Sequence, residues 1–216
     1  MKKYFVLFVA LFALVSCSKD DDDDITVDQT NVELYSKDFH QITTNQANPT
    51  YSSENEYVAK VSNTGMITAK HIGSTFIDIN GNQKVEVTVK AKYDLYEPLH
   101  DFNLTKSEVI AKRGTPTETE DTVIIYKNPS SEINLEIYTF SKVKGNLISS
   151  AILYPTEDYV TNNYALAERY EPYTYNSSEY VFYYIDALQY KDAKFVVLSK
   201  LYNLNYCTNF YCAKKE

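Results

Sequence analysis

The chain has 216 residues, 44% of them hydrophobic and 23% charged, with a formal net charge of −8. That length suffices for two ordinary domains, each with its own core, and the acidic balance excludes nucleic acid and anionic lipid headgroups as electrostatic partners. Three cysteines are too few for the disulfide framework of small secreted domains, and the tyrosines mark two unlike halves, with 17 of the 21 lying from Tyr93 onward.

Lys2 and Lys3 open the chain, Tyr4 to Val15 is an uncharged run of 12 residues, and Leu14-Val15-Ser16-Cys17 closes it. A membrane-spanning helix needs about 20 apolar residues, so a short run followed by five aspartates reads as a signal peptide. The quartet resembles the lipobox of bacterial lipoproteins. That resemblance implies cleavage after Ser16, with residues 1–16 as the signal and Cys17 as a lipidated first residue. At about 0.8 kcal/mol per buried methylene, two or three acyl chains hold a protein on a membrane where one does not. Loss of Lys2 and Lys3 with the signal takes the net charge to −10. Residues 17–24 are expected to be an acidic tether, since Asp20 to Asp24 repel one another and bury nothing to offset chain entropy. A flexible run also lacks the fixed ligand geometry of a calcium loop. Ser18-Lys19-Asp20-Asp21-Asp22 resembles the export signal of Bacteroidota surface lipoproteins, which implies an outer-membrane protein facing the cell exterior and touching the membrane through its lipid anchor.

From Ile25 to Lys92 the apolar residues alternate, at Val32 and Leu34, at Val58 and Val61 near a bulge, at Thr75, Ile77 and Ile79, and at Val85, Val87 and Val89. This is strand periodicity without a helical segment. Asn63-Thr64-Gly65 and Asn80-Gly81 supply the residues that hairpins with positive φ require. Short strands at this spacing predict a β-sandwich. Tyr51 to Asn55, Val58 to Ser62, Gly65 to Ala69, Gly73-Ser74-Thr75 and the closing Val85 to Val89 resemble, in order, the bacterial immunoglobulin-like group 2 (BIG2) domain, with Tyr51 where that family often has tryptophan. The resemblance implies an all-β Ig-like sandwich over residues 25–92, serving as a stalk or adhesion module without catalysis.

The second segment, residues 93–216, begins near a junction at Ala91 to Tyr96. Thr105-Lys106-Ser107-Glu108 is a capping box, so a helix is expected from Lys106 and should stop at Gly114 and Pro116. Strands follow at Thr122 to Tyr126, Ile133 to Phe140 and Leu147 to Tyr154, with turns at Asn128-Pro129 and Lys144-Gly145-Asn146. The order then repeats. Thr156 caps a helix from Glu157 to about Arg169 with Val160, Tyr164 and Ala167 at helical spacing, and strands follow at Tyr180 to Ile185, Ala193 to Leu201 and Asn205 to Ala213. Ser141-Lys142 matches Ser199-Lys200, and Pro116 matches Pro172. The expected fold is thus an α+β domain with an internal duplication, about 103–154 and 155–213, of a helix plus a three-stranded antiparallel sheet. This order is similar in architecture to the tandem modules of the β-lactamase-inhibitor protein and of small outer-membrane assembly lipoproteins.

Seven tyrosines, Tyr170, Tyr173, Tyr175, Tyr180, Tyr183, Tyr184 and Tyr190, lie within 21 residues. Tyrosine offers a rigid face and a hydroxyl to a protein or glycan, and it also packs well across strands. Alternation assigns Val181, Tyr183 and Ile185 to the core and leaves Tyr180 and Tyr184 as the binding candidates. Asp121-Thr122-Val123 resembles the O-glycosylation acceptor of exported Bacteroidota proteins, which makes Thr122 a candidate for modification. Cys207 and Cys212 on one strand would lie about 16 Å apart, beyond a disulfide's reach, and their spacing does not make a zinc site. No nucleophile elbow, His-Glu-x-x-His or glycine-rich phosphate loop occurs, so the chain is expected to be neither an enzyme nor a cofactor carrier. The expected function is presentation of the tyrosine-rich module to an unknown protein partner by an Ig-like spacer. Glycan capture, or a periplasm-facing assembly or inhibitor-like role, is the alternative.

Overall fold

The computed structural model describes residues 24–174, 181–202 and 205–212. The signal, Cys17, Ser18 to Asp22 and Tyr180 lie outside the described residues. Within them the chain is mostly β-strand, with two α-helices and three sheets.

The first seven strands are β1 (Asn31–Tyr35), β2 (Phe39–Gln41), β3 (Tyr51–Ser53), β4 (Ala59–Val61), β5 (Met66–Ala69), β6 (Gly73–Ile79) and β7 (Gln83–Lys90). They form a four-stranded sheet ordered β1-β7-β6-β3 and a three-stranded sheet ordered β2-β5-β4. Only β1 and β7 pair in parallel; the other ladders of these two sheets are antiparallel. One core joins both sheets: Val32, Ile77, Ile79, Val85, Val87 and Val89 from the first meet Ala59, Ile67 and Ala69 from the second. The expected period-2 alternation is therefore the burial pattern of β6 and β7. The turn glycine Gly65 has φ +80°, and a Cβ there would lie 2.7 Å from Cζ of Tyr51. Gly65→Ala should accordingly cost about 1–3 kcal/mol through left-handed strain and displacement of the Tyr51 ring, read as a lower denaturant midpoint with unchanged slope.

The second unit contains α1 (Lys106–Arg113), β8 (Glu118–Thr119), β9 (Val123–Ser130), β10 (Ile133–Phe140), β11 (Leu147–Pro155), α2 (Tyr159–Arg169), β12 (Glu171–Thr174), β13 (Val181–Tyr184), β14 (Phe195–Tyr202) and β15 (Asn205–Cys212). Its strands make one eight-stranded antiparallel sheet ordered β12-β13-β14-β15-β11-β10-β9-β8. The capping box forms as expected: Thr105 accepts from the Glu108 amide while Glu108 accepts from the Thr105 amide, and Gly114 at φ +88° ends α1. The repeating unit differs from the expected one. Each helix is followed by four strands, because the short edge strands β8 and β12 precede the three anticipated ones, and the two halves meet where β11 pairs with β15. The Ser-Lys pairs do not correspond, since Ser141 follows the end of β10 whereas Ser199 lies inside β14. Asn128-Pro129 is not a turn; β9 runs through it to Ser130, with Asn128 at φ +46° and a register shift opposite.

The second helix also begins differently. Thr156–Asp158 is a 3-10 turn, and α2 proper starts at Tyr159. Its buried side is Asn162, Ala165, Leu166 and Glu168, while Val160 and Tyr164 are exposed at 59% and 54%. The apolar spacing there misleads because two interior positions of α2, Asn162 and Glu168, are polar, and Glu168 takes the Lys92 and Tyr93 amides as its partners.

Both helices cover one face of the eight-stranded sheet. Val109 of α1 and Leu166 of α2 pack with Ile124, Tyr126, Tyr138, Tyr183 and Val197. The segment between the two units is fastened onto that face by a buried polar group. Glu136 is 1% exposed and accepts from Tyr138 Oη on Oε1 and from Tyr96 Oη at 3.2 Å on Oε2, while Arg113 Nε lies 3.2 Å from Oε1. Tyr138 Oη accepts the Leu99 amide at 3.0 Å, and Arg113 donates to the Glu97 carbonyl at 2.7 Å. Burial, reinforced by the Glu136 charge, pushes the Tyr96 hydroxyl up to about 12 and the Tyr138 hydroxyl higher still. Both phenols therefore stay protonated as donors to the carboxylate.

Candidate functional site

The two faces of the eight-stranded sheet are unlike. On the helix side, Ile124, Glu136, Tyr138, Ser150, Ile152, Val197 and Ser199 are buried. On the other side Val123, Ile125, Leu135, Ile137, Ala151, Leu153 and Leu198 are only half-buried, and none of them joins a buried apolar cluster of the described residues. Register places them in rows. Ile125 lies opposite Ile137, Ile137 opposite Ala151, Ala151 and Leu198 both opposite Asn209, Leu198 opposite Phe182, and Phe182 opposite Tyr173. Apolar and aromatic residues thus line one row from β9 to β12, interrupted at β15 by Asn209. An antiparallel sheet commonly leaves one face to solvent, but that face is then polar. Here it is not.

At the β12 end the row meets a group of tyrosines. Tyr173 and Tyr190 are 42% and 56% exposed, with rings 6.0 Å apart and 24° from parallel, and both lie against Tyr184 at 5.5 and 5.6 Å. Tyr184 itself is 5% exposed. This corrects the assignment of Tyr184 to a solvent-facing contact. The 3-10 turn Tyr190–Asp192 folds back across the outer face of β13, so Tyr184 is covered even though alternation does point it away from the helices. Tyr183 and Ile185 are buried in the helix-side core and Val181 packs against it, as alternation predicts. The exposed aromatic pair at this end of the sheet, among the described residues, is Tyr173 and Tyr190. Strand periodicity could not select them, because Tyr190 belongs to a turn whose position depends on tertiary packing.

Thr122 is half-buried in the bend before β9, and its carbonyl accepts the Phe140 amide at 2.7 Å. Cys207 and Cys212 sit five positions apart on the continuous strand β15, a separation of about 16 Å.

Beside the tyrosines lies the joint between the two units. The Ile72 amide donates to the Glu168 carbonyl at 2.8 Å, and the Lys92 and Tyr93 amides donate to the Glu168 carboxylate at 3.0 and 3.2 Å. Tyr57 Oη donates to the Arg169 carbonyl at 2.6 Å and lies 3.3 Å from the Tyr184 carbonyl. Lys70 and His71 both reach Glu171 of β12. Arg169 pairs with Glu97 at 2.5 Å, and Tyr170 Oη donates to the other Glu97 oxygen at 2.6 Å. Buried Glu168 thus serves as a backbone cap for the segment entering the second unit. These contacts are not legible from neighbouring residues, since most partners lie 75 or more positions apart in the chain.

Among the described residues no helix is long and apolar enough to cross a membrane, and no group of three or more His, Cys, Asp or Glu side chains is placed to hold a metal ion. No known protein family's model matches the chain, and no curated protein matches it.

Proposed function

We propose that this is a non-catalytic lipoprotein of the outer membrane, held by Cys17 and facing the cell exterior, whose first unit is an Ig-like spacer that presents the open face of the second unit to a protein partner. The observation that carries the reading is the set Ile125, Ile137, Ala151 and Leu198 on the outer sheet face, half-buried and in none of the buried clusters of the described residues. The row runs over seven strands, roughly 29 Å between the β9 and β12 axes at about 4.8 Å per strand. The Ig-like reading is supported by two sheets closing on one core in the first unit. Its contacts to α2 and β12 make the spacer hold the second unit at a set orientation instead of swinging on a loose linker.

The edge strand β12 is a poor template for an added strand, because Pro172 lacks an amide hydrogen. The partner therefore docks on the face and not along the edge. A second reading, glycan capture, is favoured by one observation, the half-exposed, nearly parallel pair Tyr173 and Tyr190, whose rings offer the flat apolar surface a sugar needs.

Cys17→Ala should release the protein from membranes into the soluble fraction, because the acyl chains supply its membrane affinity. Retention after a high-salt wash would refute the anchor. Protease treatment of intact cells should remove the native protein, and full protection until the cells are permeabilised would indicate the periplasm-facing alternative.

A further inference from the structure

The joint between the two units is closed by groups that titrate. His71 is 3% exposed, and its Nε2 lies 3.0 Å from Glu171 Oε2, the same oxygen that takes the Lys70 ammonium at 3.0 Å. Its Nδ1 is buried and turned toward the Ala167 carbonyl without reaching hydrogen-bond geometry. The Tyr57 ring lies against the imidazole, with centroids 4.3 Å apart. The other charged groups at the joint are already engaged: Glu168 by the Lys92 and Tyr93 amides, and Arg169 by Glu97. Asp186 lies close enough to act on the Tyr57 hydroxyl. An imidazolium would put a second cation on a carboxylate that already holds Lys70. Burial therefore keeps the His71 imidazole below its ordinary value, against the pull of Glu171. Burial also pushes the Glu171 carboxyl up, but hydrogen bonds from Lys70 and His71 outweigh it and leave that group below its ordinary value.

We propose that the joint is an acid-released hinge, in which proton uptake by His71, and at lower pH by Glu171, frees β12 and the end of α2 from the first unit. With the His71 value lowered in the closed joint, the stabilisation is complete above the ordinary histidine value of about 6.5 and is lost as pH falls through the lowered one. The lowered Glu171 value has the same sense: its contribution is present above about 4.3 and disappears on further acidification. The two act in the same direction, with His71 first. A cavity of about 310 Å³ borders both groups, lined by Phe39, Ala69, Ala167 and Pro172 among others, and it admits water to the imidazole as the joint loosens. Glu171 and Tyr173 share β12, so opening also displaces the aromatic end of the open face.

Hydrogen exchange on the full chain tests this, because the Ile72, Lys92 and Tyr93 amides all donate across the joint. After correction for intrinsic exchange rates, these amides should exchange severalfold faster at pH 5.5 than at pH 7.5, because the open joint binds the His71 proton more readily than the closed one. The Val85 and Ile137 amides should show no such step. His71→Gln should abolish it. If that variant is unfolded by circular dichroism, Lys70→Met serves instead: it leaves Glu171 to a single cation and should shrink the step. Protection independent of pH in the parent, or an undiminished step in a folded variant, overturns the proposal.

Discussion

Glu136→Ala should lower the melting temperature of the second unit by roughly 10–20 °C, the equivalent of about 3–5 kcal/mol for breaking a buried ion pair from one side. The carboxylate is 1% exposed and holds three partners, Tyr96, Tyr138 and Arg113. Its removal leaves the Tyr138 hydroxyl and the Arg113 guanidinium without their anion, and it loosens the segment carrying Tyr96, Glu97 and Leu99. Glu136→Gln keeps an acceptor in place and should lose about half as much. Replacing both charges, as in Arg113→Met with Glu136→Leu, should recover part of the loss, because apolar groups of similar size need no partner. Thermal unfolding followed by circular dichroism on the four proteins checks the series. Equal melting of parent and Glu136→Ala would show that this polar group does not fasten the segment to the sheet.

Ile137→Lys should leave the fold within about 1 kcal/mol of the parent, since the position is half-buried on an outer sheet face. It should nonetheless weaken partner binding at least about 100-fold, as expected when a charge replaces a central anchor of an interface. Val143→Lys is the control, a change of equal charge at a turn position that is 94% exposed. Titration calorimetry with the recovered partner reads both. If the two variants bind alike, the apolar row is not the contact surface. A sugar ligand that ignores Ile137→Lys but is lost with Tyr173→Ala and Tyr190→Ala together would support the glycan reading.

What could be read from the sequence was what depends on neighbours in the chain. The capping box at Thr105, the hairpin residues Gly65 and Asn80-Gly81, and the alternation of Ile77, Ile79, Val85, Val87 and Val89 are local rules, and the structure follows each. The recurrence of helix and strands was legible too, but the two-residue strand β8 carries too little pattern to be seen, and β12 was hidden by Pro172. Tyr184 was misplaced because alternation tells which side of a strand a residue takes and not whether that side is covered. The α2 stripe failed for a related reason: Asn162 and Glu168 are polar yet buried. The joint at His71, Glu168 and Glu171 could not be foreseen, since three unremarkable residues become a site only when the two cores meet.

The most direct measurement is photo-crosslinking in intact cells, with a benzophenone side chain at position 137 on the open face and, separately, at positions 143 and 164, which are exposed away from it. A discrete protein adduct from position 137 and none from the other two is the predicted result. Adducts of the same size from all three positions, or from 143 and 164 alone, would contradict docking on this sheet face.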